Sequence, residues 1–250
     1  MCTLTIAWQV FEETPVVVAA NRDEALDRPS EPPARIVDDP VVVAPRDVDA
    51  GGTWVGYNGH GLFVGITNRW VTGLKSERSR GLLVRDALEQ ESAEAALDLV
   101  ERAVIDHEYE GFNLVVADAE AAYLLEWDGH LHVREYDPGV HVVVNVGTDD
   151  SFFVPDRRPE IGRRQADNAR AVRDALRPEE GEMADAWLDR AADVLGDHEY
   201  GVCIHADRYG TRSSSLITLG RDDEGALRAS YRFAPGPPCE TEYLPVESQV

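Results

Sequence analysis

Short apolar runs at both ends of the chain alternate with two long stretches of helical periodicity. Thr3–Val10 and Pro15–Ala20 are β-branched, apolar runs separated by the polar triplet Glu12-Glu13-Thr14, which predicts a pair of strands and a turn. Arg28 to Asp49 carries Pro29, Pro32, Pro33, Pro40 and Pro45, so it is not helical throughout. It is expected to be an extended excursion with one short strand at Val41–Ala44. Glycines then bracket a strand in Gly51 to Gly61, with Asn58-Gly59 as a turn signal, and a further strand runs from Leu62 into Asn68. Ser79 to His107 reads as helical. Leu82, Leu83 and Ala87 form one apolar stripe, Leu97, Val100 and Val104 another, and Ser92 is a cap between them. Strands are predicted at Phe112–Ala117, Ala122–Trp127, Leu131–Tyr136 and Val140–Val146. A second helical block spans Pro159 to Leu195, with stripes at Ile161, Ala169, Val172 and Leu176 and at Met183, Trp187, Ala191 and Val194. Gly201–His205, Ser213–Leu219 and Leu227–Phe233 close the pattern as strands before a Pro-rich tail from Pro235.

Strands, helices, strands, helices and strands follow one another without βαβ alternation. That order predicts an α+β fold of mainly antiparallel sheets with helices on their outer faces. Neither helical block nor the Pro-rich excursion divides the core, so residues 1–250 are expected to form one domain.

Composition changes the picture mainly through charge. The 250 residues include 47 acidic and 24 basic side chains, a net charge of −23, and Lys75 is the only lysine. Such a balance suits a protein that stays hydrated in concentrated salt, where self-repulsion is screened. It argues against nucleic acid and anionic membranes as partners, since both call for a basic footprint. No signal peptide is evident, because Gln9, Glu12 and Glu13 interrupt the first apolar run. No run approaches the ~20 residues of a membrane span. The expectation is a cytoplasmic protein; Cys2, Cys203 and Cys239 lack disulfide-scaffold spacing.

The chemistry concentrates in the first hairpin. Removal of Met1 would expose Cys2 as an N-terminal residue whose α-amine titrates near ~8 and whose thiol titrates near ~8.5. A nucleophile would then carry its own base. The second strand delivers Arg22 and Asp23 beside it. The competing reading makes Cys2 a small buried hydrophobe and Arg22–Asp23 a surface ion pair.

Asn21-Arg22-Asp23-Glu24 is the tetrapeptide that names the NRDE family, also called the transport and Golgi organisation protein 2 family. The chain resembles that family in further blocks, in order: Met1-Cys2, Gly51-Gly52-Thr53-Trp54-Val55-Gly56, Thr67-Asn68, Ser79-Arg80-Gly81, Phe112-Asn113-Leu114 and Tyr209-Gly210-Thr211-Arg212-Ser213. The resemblance implies the four-layer αββα sandwich of N-terminal-nucleophile hydrolases. A more distant similarity is to bile salt hydrolases and penicillin V acylases, which begin Met-Cys-Thr. It implies Cys2 as nucleophile, Asp23 as holder of its amine or thiol, and Arg22 as stabiliser of the thiolate or of a substrate carbonyl. Asn68 and Asn145 would face an oxyanion, and Arg212 would be a second anion holder. Here Arg22 and Asp23 are adjacent, whereas that family separates them by two residues. Adjacent strand residues point to opposite faces, so both reach Cys2 only if the strand has already ended.

Asn21 and Glu24, with Trp54 and Trp70, are the expected ligand contacts, although core packing explains the two tryptophans equally well. Cys203 and His205 share one predicted strand face, and His130 and His132 another. No Cys/His set at structural-zinc spacing completes either pair, so no metal or cofactor is expected. The functional expectation is an N-terminal-nucleophile-like cysteine amidohydrolase acting on a small linear amide or acyl compound. The alternative, also implied by the family, is a carrier of haem or acyl-coenzyme A on the same fold. Oligomeric state is not readable from the sequence.

Overall fold

The computed structural model describes residues 2–222 and 224–247. In chain order its elements are β1 (Thr3–Phe11), β2 (Thr14–Ala25), β3 (Ser30–Asp38), β4 (Val41–Asp47), β5 (Val55–Asn58), β6 (Phe63–Asn68), α1 (Arg80–Leu88), α2 (Ala93–Asp106), β7 (Phe112–Ala117), β8 (Ala122–Trp127), β9 (Leu131–Glu135), β10 (Gly139–Val144), β11 (Gly147–Thr148), β12 (Ser151–Phe152), α3 (Pro159–Ala175), α4 (Ala184–Gly196), β13 (Tyr209–Arg221), β14 (Leu227–Ala234) and β15 (Leu244–Pro245). They form two compact units. The first combines the chain up to Arg28 with Pro138–Val246, and the second is Pro29–Asp137.

The first unit is an antiparallel sheet in the order β12-β11-β10-β1-β2-β13-β14-β15, with α3 packed on β10 and α4 on β2 and β13. β1 and β2 lie at its centre, and Thr3 through Trp8 are buried without alternation, as expected of a strand covered on both faces. α3 starts on Pro159, whose fixed φ suits a first helical position. The stripe of α4 seats Trp187 fully buried, and its indole Nε1 donates to the Leu176 carbonyl at 2.9 Å, so the largest apolar side chain leaves no polar atom unsatisfied.

The second unit is a meander, β3-β4-β5-β6-β7-β8-β9, in which each strand pairs with its sequence neighbour. The helical stretch from Ser79 to His107 is two helices, divided at the expected cap Ser92. Ser79 Oγ accepts from the Gly81 amide at the start of α1, and Ser92 Oγ accepts from the Ala95 amide at the start of α2. Leu83, Val84, Ala87 and Leu88 of α1 and Ala93, Ala96 and Val100 of α2 bury against Val64, Leu114, Val116 and Leu125 of the sheet.

Two sequence expectations need correction. The Pro-rich excursion contains a full strand, β3. Its Pro32 and Pro33 are tolerated because β3 is an edge strand with a register shift at that point, where missing amide donors break no ladder. Gly201–His205 is not a strand but a loop, with an isolated bridge between His205 and Gly210. Among the described residues no helix is long and apolar enough to cross a membrane.

Candidate functional site

Register brings the candidate nucleophile to its neighbours. Thr3 pairs with Val144 on one side and Asn21 on the other. One residue beyond that rung, Cys2 therefore comes between Asn145, just past β10, and Arg22 in β2. The Cys2 backbone nitrogen donates to Asn145 Oδ1 at 3.0 Å, and its Sγ lies 3.7 Å from the Asp23 carbonyl oxygen. Gln165, on the inward face of α3, donates from Nε2 to the same Asn145 Oδ1 at 2.9 Å. Asn145 thus turns its acceptor end to the Cys2 nitrogen.

The condition set for Arg22 and Asp23 is not met, because β2 continues to Ala25. Both are nonetheless buried, at 6% and 2% exposure. β13 accommodates them with a bulge: Thr211 pairs with Asp23 and Ser213 with Arg22, so Arg212 is the extra residue. Thr211 Oγ1 donates to Asp23 Oδ1 at 2.6 Å and accepts the Ile204 amide at 2.8 Å. Tyr209 Oη donates to the Asp23 carbonyl at 2.8 Å. Arg212 is half-buried, with Nη2 on the Arg28 carbonyl at 3.4 Å, and its Nε has no partner among the described residues.

Electrostatics follow from burial. Asp23 is pushed up to about 6, mainly by desolvation, against which the N-terminal ammonium and then the Thr211 hydrogen bond work. The Cys2 thiol is also raised by burial, while the Arg22 guanidinium favours the thiolate. A raised thiol is no thiolate at neutral pH on its own, so reaction at Cys2 needs a base that removes the proton during attack.

Asn21, expected to touch ligand, is a tie instead. It is 2% exposed, and its Nδ2 donates at 3.0 Å to Leu195 and at 3.0 Å to Val202, holding the last turn of α4 and the following loop. Glu24 turns Oε1 to the Ala25 amide at 2.8 Å. Asn68 ends β6, exposed, and Trp54 and Trp70 are half-buried. All three belong to the second unit. A cleft of about 360 Å³ in that unit is lined by Leu74, Lys75, Val104, Tyr109 and Trp127 and includes neither Trp54 nor Trp70.

Gln165, Thr211 and Tyr209 had no assigned role in the sequence. Gln165 could have been found: it falls on the stripe Ile161, Ala169, Val172 at helical spacing, a polar residue where the face is otherwise apolar. The first unit also gathers His198, Cys203, His205 and Cys239, a set able to hold a metal ion.

The architecture, two antiparallel sheets with helices packed on them, is an N-terminal-nucleophile-hydrolase-like fold. Solved structures agree on the fold. Penicillin V acylase from Agrobacterium tumefaciens is similar at a TM-score of 0.55 and 10% identity, over 97% of this chain and 98% of that one. The Caenorhabditis elegans N-acylethanolamine-hydrolyzing acid amidase ortholog is similar at 0.59 and 14%, over 86% and 92%. Residues 1–228 match the family described as Transport and Golgi organisation 2, and the chain belongs to that family. The Transport and Golgi organization protein 2 homologs of Bos taurus and Homo sapiens are 27% and 26% identical to it, each over 83% of both chains.

Proposed function

We propose that this protein is an N-terminal cysteine amidohydrolase for small linear amides, active once Met1 is removed. The observation that carries the reading is the Cys2 nitrogen, fixed at 3.0 Å from Asn145 Oδ1 with the buried Asp23 beside the sulfur. With that nitrogen as a free amine, the thiol proton passes to it and leaves a thiolate–ammonium pair that the Asp23 carboxylate stabilises. The thiolate attacks the amide carbonyl. The ammonium then protonates the leaving nitrogen, and water cleaves the thioester with the amine as base. Arg22 favours the thiolate in the free enzyme. The fold shared with a penicillin V acylase and an acid amidase supports an amide as the bond cut.

Intact mass of the purified protein, followed by incubation with penicillin V and with N-acylethanolamines, tests the proposal. The expected result is loss of the Met1 mass, release of amine, and an acyl adduct on Cys2 that Cys2→Ala abolishes. A protein that keeps Met1 and forms no Cys2 adduct with either amide class would overturn it.

A further inference from the structure

The geometry points to a zinc site of two cysteines and two histidines, separate from Cys2, that clamps the C-terminal tail to the loop behind the Asp23 carboxylate. Its ligands arrive from three places. His198 sits in the short turn His198–Tyr200 after α4, where Asp197 Oδ1 accepts the Glu199 amide. Cys203 and His205 lie on the loop that follows. Cys239 comes from the tail, in a turn closed by the Glu240 amide on the Pro237 carbonyl at 3.0 Å.

One ligand atom from each of the four residues lies within 4.8 Å of all the others. Cys203 Sγ is 3.4 Å from Cys239 Sγ and 3.7 Å from His205 Nε2, and His205 Nε2 is 3.1 Å from Cys239 Sγ. The His198 and His205 rings are 5.2 Å apart, centre to centre. A tetrahedral zinc with bonds of ~2.3 Å to sulfur and ~2.0–2.1 Å to nitrogen has edges of ~3.8 Å between sulfurs, ~3.6 Å for sulfur–nitrogen and ~3.3 Å between nitrogens. The three measured edges match these to within about half an ångström. A donor set of two thiols and two imidazoles selects zinc over harder ions. The second nitrogen of His205, Nδ1, has Glu240 Oε1 at 4.0 Å, beyond hydrogen-bond length but on the side where a carboxylate partner of a ligating imidazole belongs. Coordination replaces two S–H bonds with two Zn–S bonds and releases two protons.

The clamp reaches the candidate active site through the backbone between its ligands. Cys203 and His205 flank Ile204, whose amide donates to Thr211 Oγ1 at 2.8 Å and whose carbonyl accepts the Thr211 amide at 2.8 Å. Thr211 in turn holds Asp23, and the neighbouring Val202 carbonyl holds Asn21. An ion bound to the loop therefore steadies both residues without touching either.

The test uses the full chain, reduced and stripped with a chelator, and titrated with cobalt(II). We expect one equivalent to bind, with sulfur-to-cobalt charge-transfer bands in the near ultraviolet, intense tetrahedral d–d bands in the red, and displacement by zinc. Cys239→Ser, in the exposed tail, should weaken cobalt binding by on the order of 100-fold or more while the protein stays folded. Cys2→Ala should still bind one equivalent. Loss of the metal should lower the melting temperature of the parent protein and leave that of Cys239→Ser unchanged. Cobalt bands that persist in Cys239→Ser, an octahedral spectrum, or a Cys203–Cys239 disulfide whose reduction yields no metal uptake would each overturn the assignment. Because the readout is spectral, its failure is distinct from any failure of amide cleavage at Cys2.

Discussion

Replacing Asp23 with asparagine separates what this carboxylate costs the fold from what it contributes to the chemistry. Asp23 is 2% exposed and desolvation raises it from its ordinary 3.8 to about 6. The folded protein thus holds this proton more tightly than the unfolded chain does. The resulting sign is opposite to that of a salt-bridged carboxylate. The native state is favoured below the unfolded value, near 3.8, and loses stability as pH rises through about 6. At ~1.36 kcal/mol per pH unit, the gap of roughly two units makes the ionised form cost up to ~3 kcal/mol at pH 8. The opposing pull of an N-terminal ammonium is already contained in that value. Asparagine is isosteric, and its Oδ1 still accepts from Thr211 Oγ1, so little else changes. In a chain of this size ~1 kcal/mol moves the midpoint by about 2–4 °C.

Thermal melts of parent and Asp23→Asn at pH 4 and pH 8 measure the effect. The variant should melt roughly 5–10 °C higher at pH 8 and within about 2 °C of the parent at pH 4. It should also slow alkylation of Cys2, since the ammonium partner loses its counter-charge. A variant that melts no higher than the parent at pH 8, or higher by the same amount at both pH values, would refute the reasoning.

Two further outcomes are expected. A Cβ on Gly52 would lie 2.1 Å from the Gly81 carbonyl carbon, a backbone atom that cannot give way, whereas one on Gly51 meets nothing within 4 Å and strains only φ at +72°. Urea melts should therefore show Gly52→Ala losing about 3 kcal/mol or more and Gly51→Ala about 1–2, and equal losses would count against the contact. With a net charge of −23, the melting midpoint should rise from low to molar potassium chloride as self-repulsion is screened, and an unchanged or lower midpoint would remove the case for salt adaptation.

The fold was legible where the signal was local. Phe112–Ala117 and Ala122–Trp127 begin and end where periodicity puts them, because both are buried runs closed by the Asp118–Ala121 turn. Ser92 was readable as a cap because its role depends on a residue three positions away. β3 was hidden, since its prolines forbid a central strand and an edge strand with a register shift leaves no comparable mark in composition. Glycines stood out as brackets of a strand from Gly51, yet the need for glycine at 52 lies in Gly81, packed against it from the start of α1.

The site divides along the same line. Cys2, Arg22 and Asp23 could be singled out because hairpin pairing between β1 and β2 is a short-range inference. What Asn21, Asn145, Thr211 and Gln165 do depends on pairings 20 to nearly 190 residues apart, such as Thr211 with Asp23 and Asn21 with Val202. The four-residue cluster is the extreme case. Cys203 and His205 were visible as half of a metal site. The missing half comes from the turn after α4 and from a Pro-rich tail 34 residues beyond His205, a spacing that fits no short zinc motif. Only a fold that brings the tail back to that loop can join the two halves. The same loop, through Ile204 and Thr211, carries the position of the tail to the carboxylate beside Cys2. Residues with no chemistry of their own thereby become part of how the site is held.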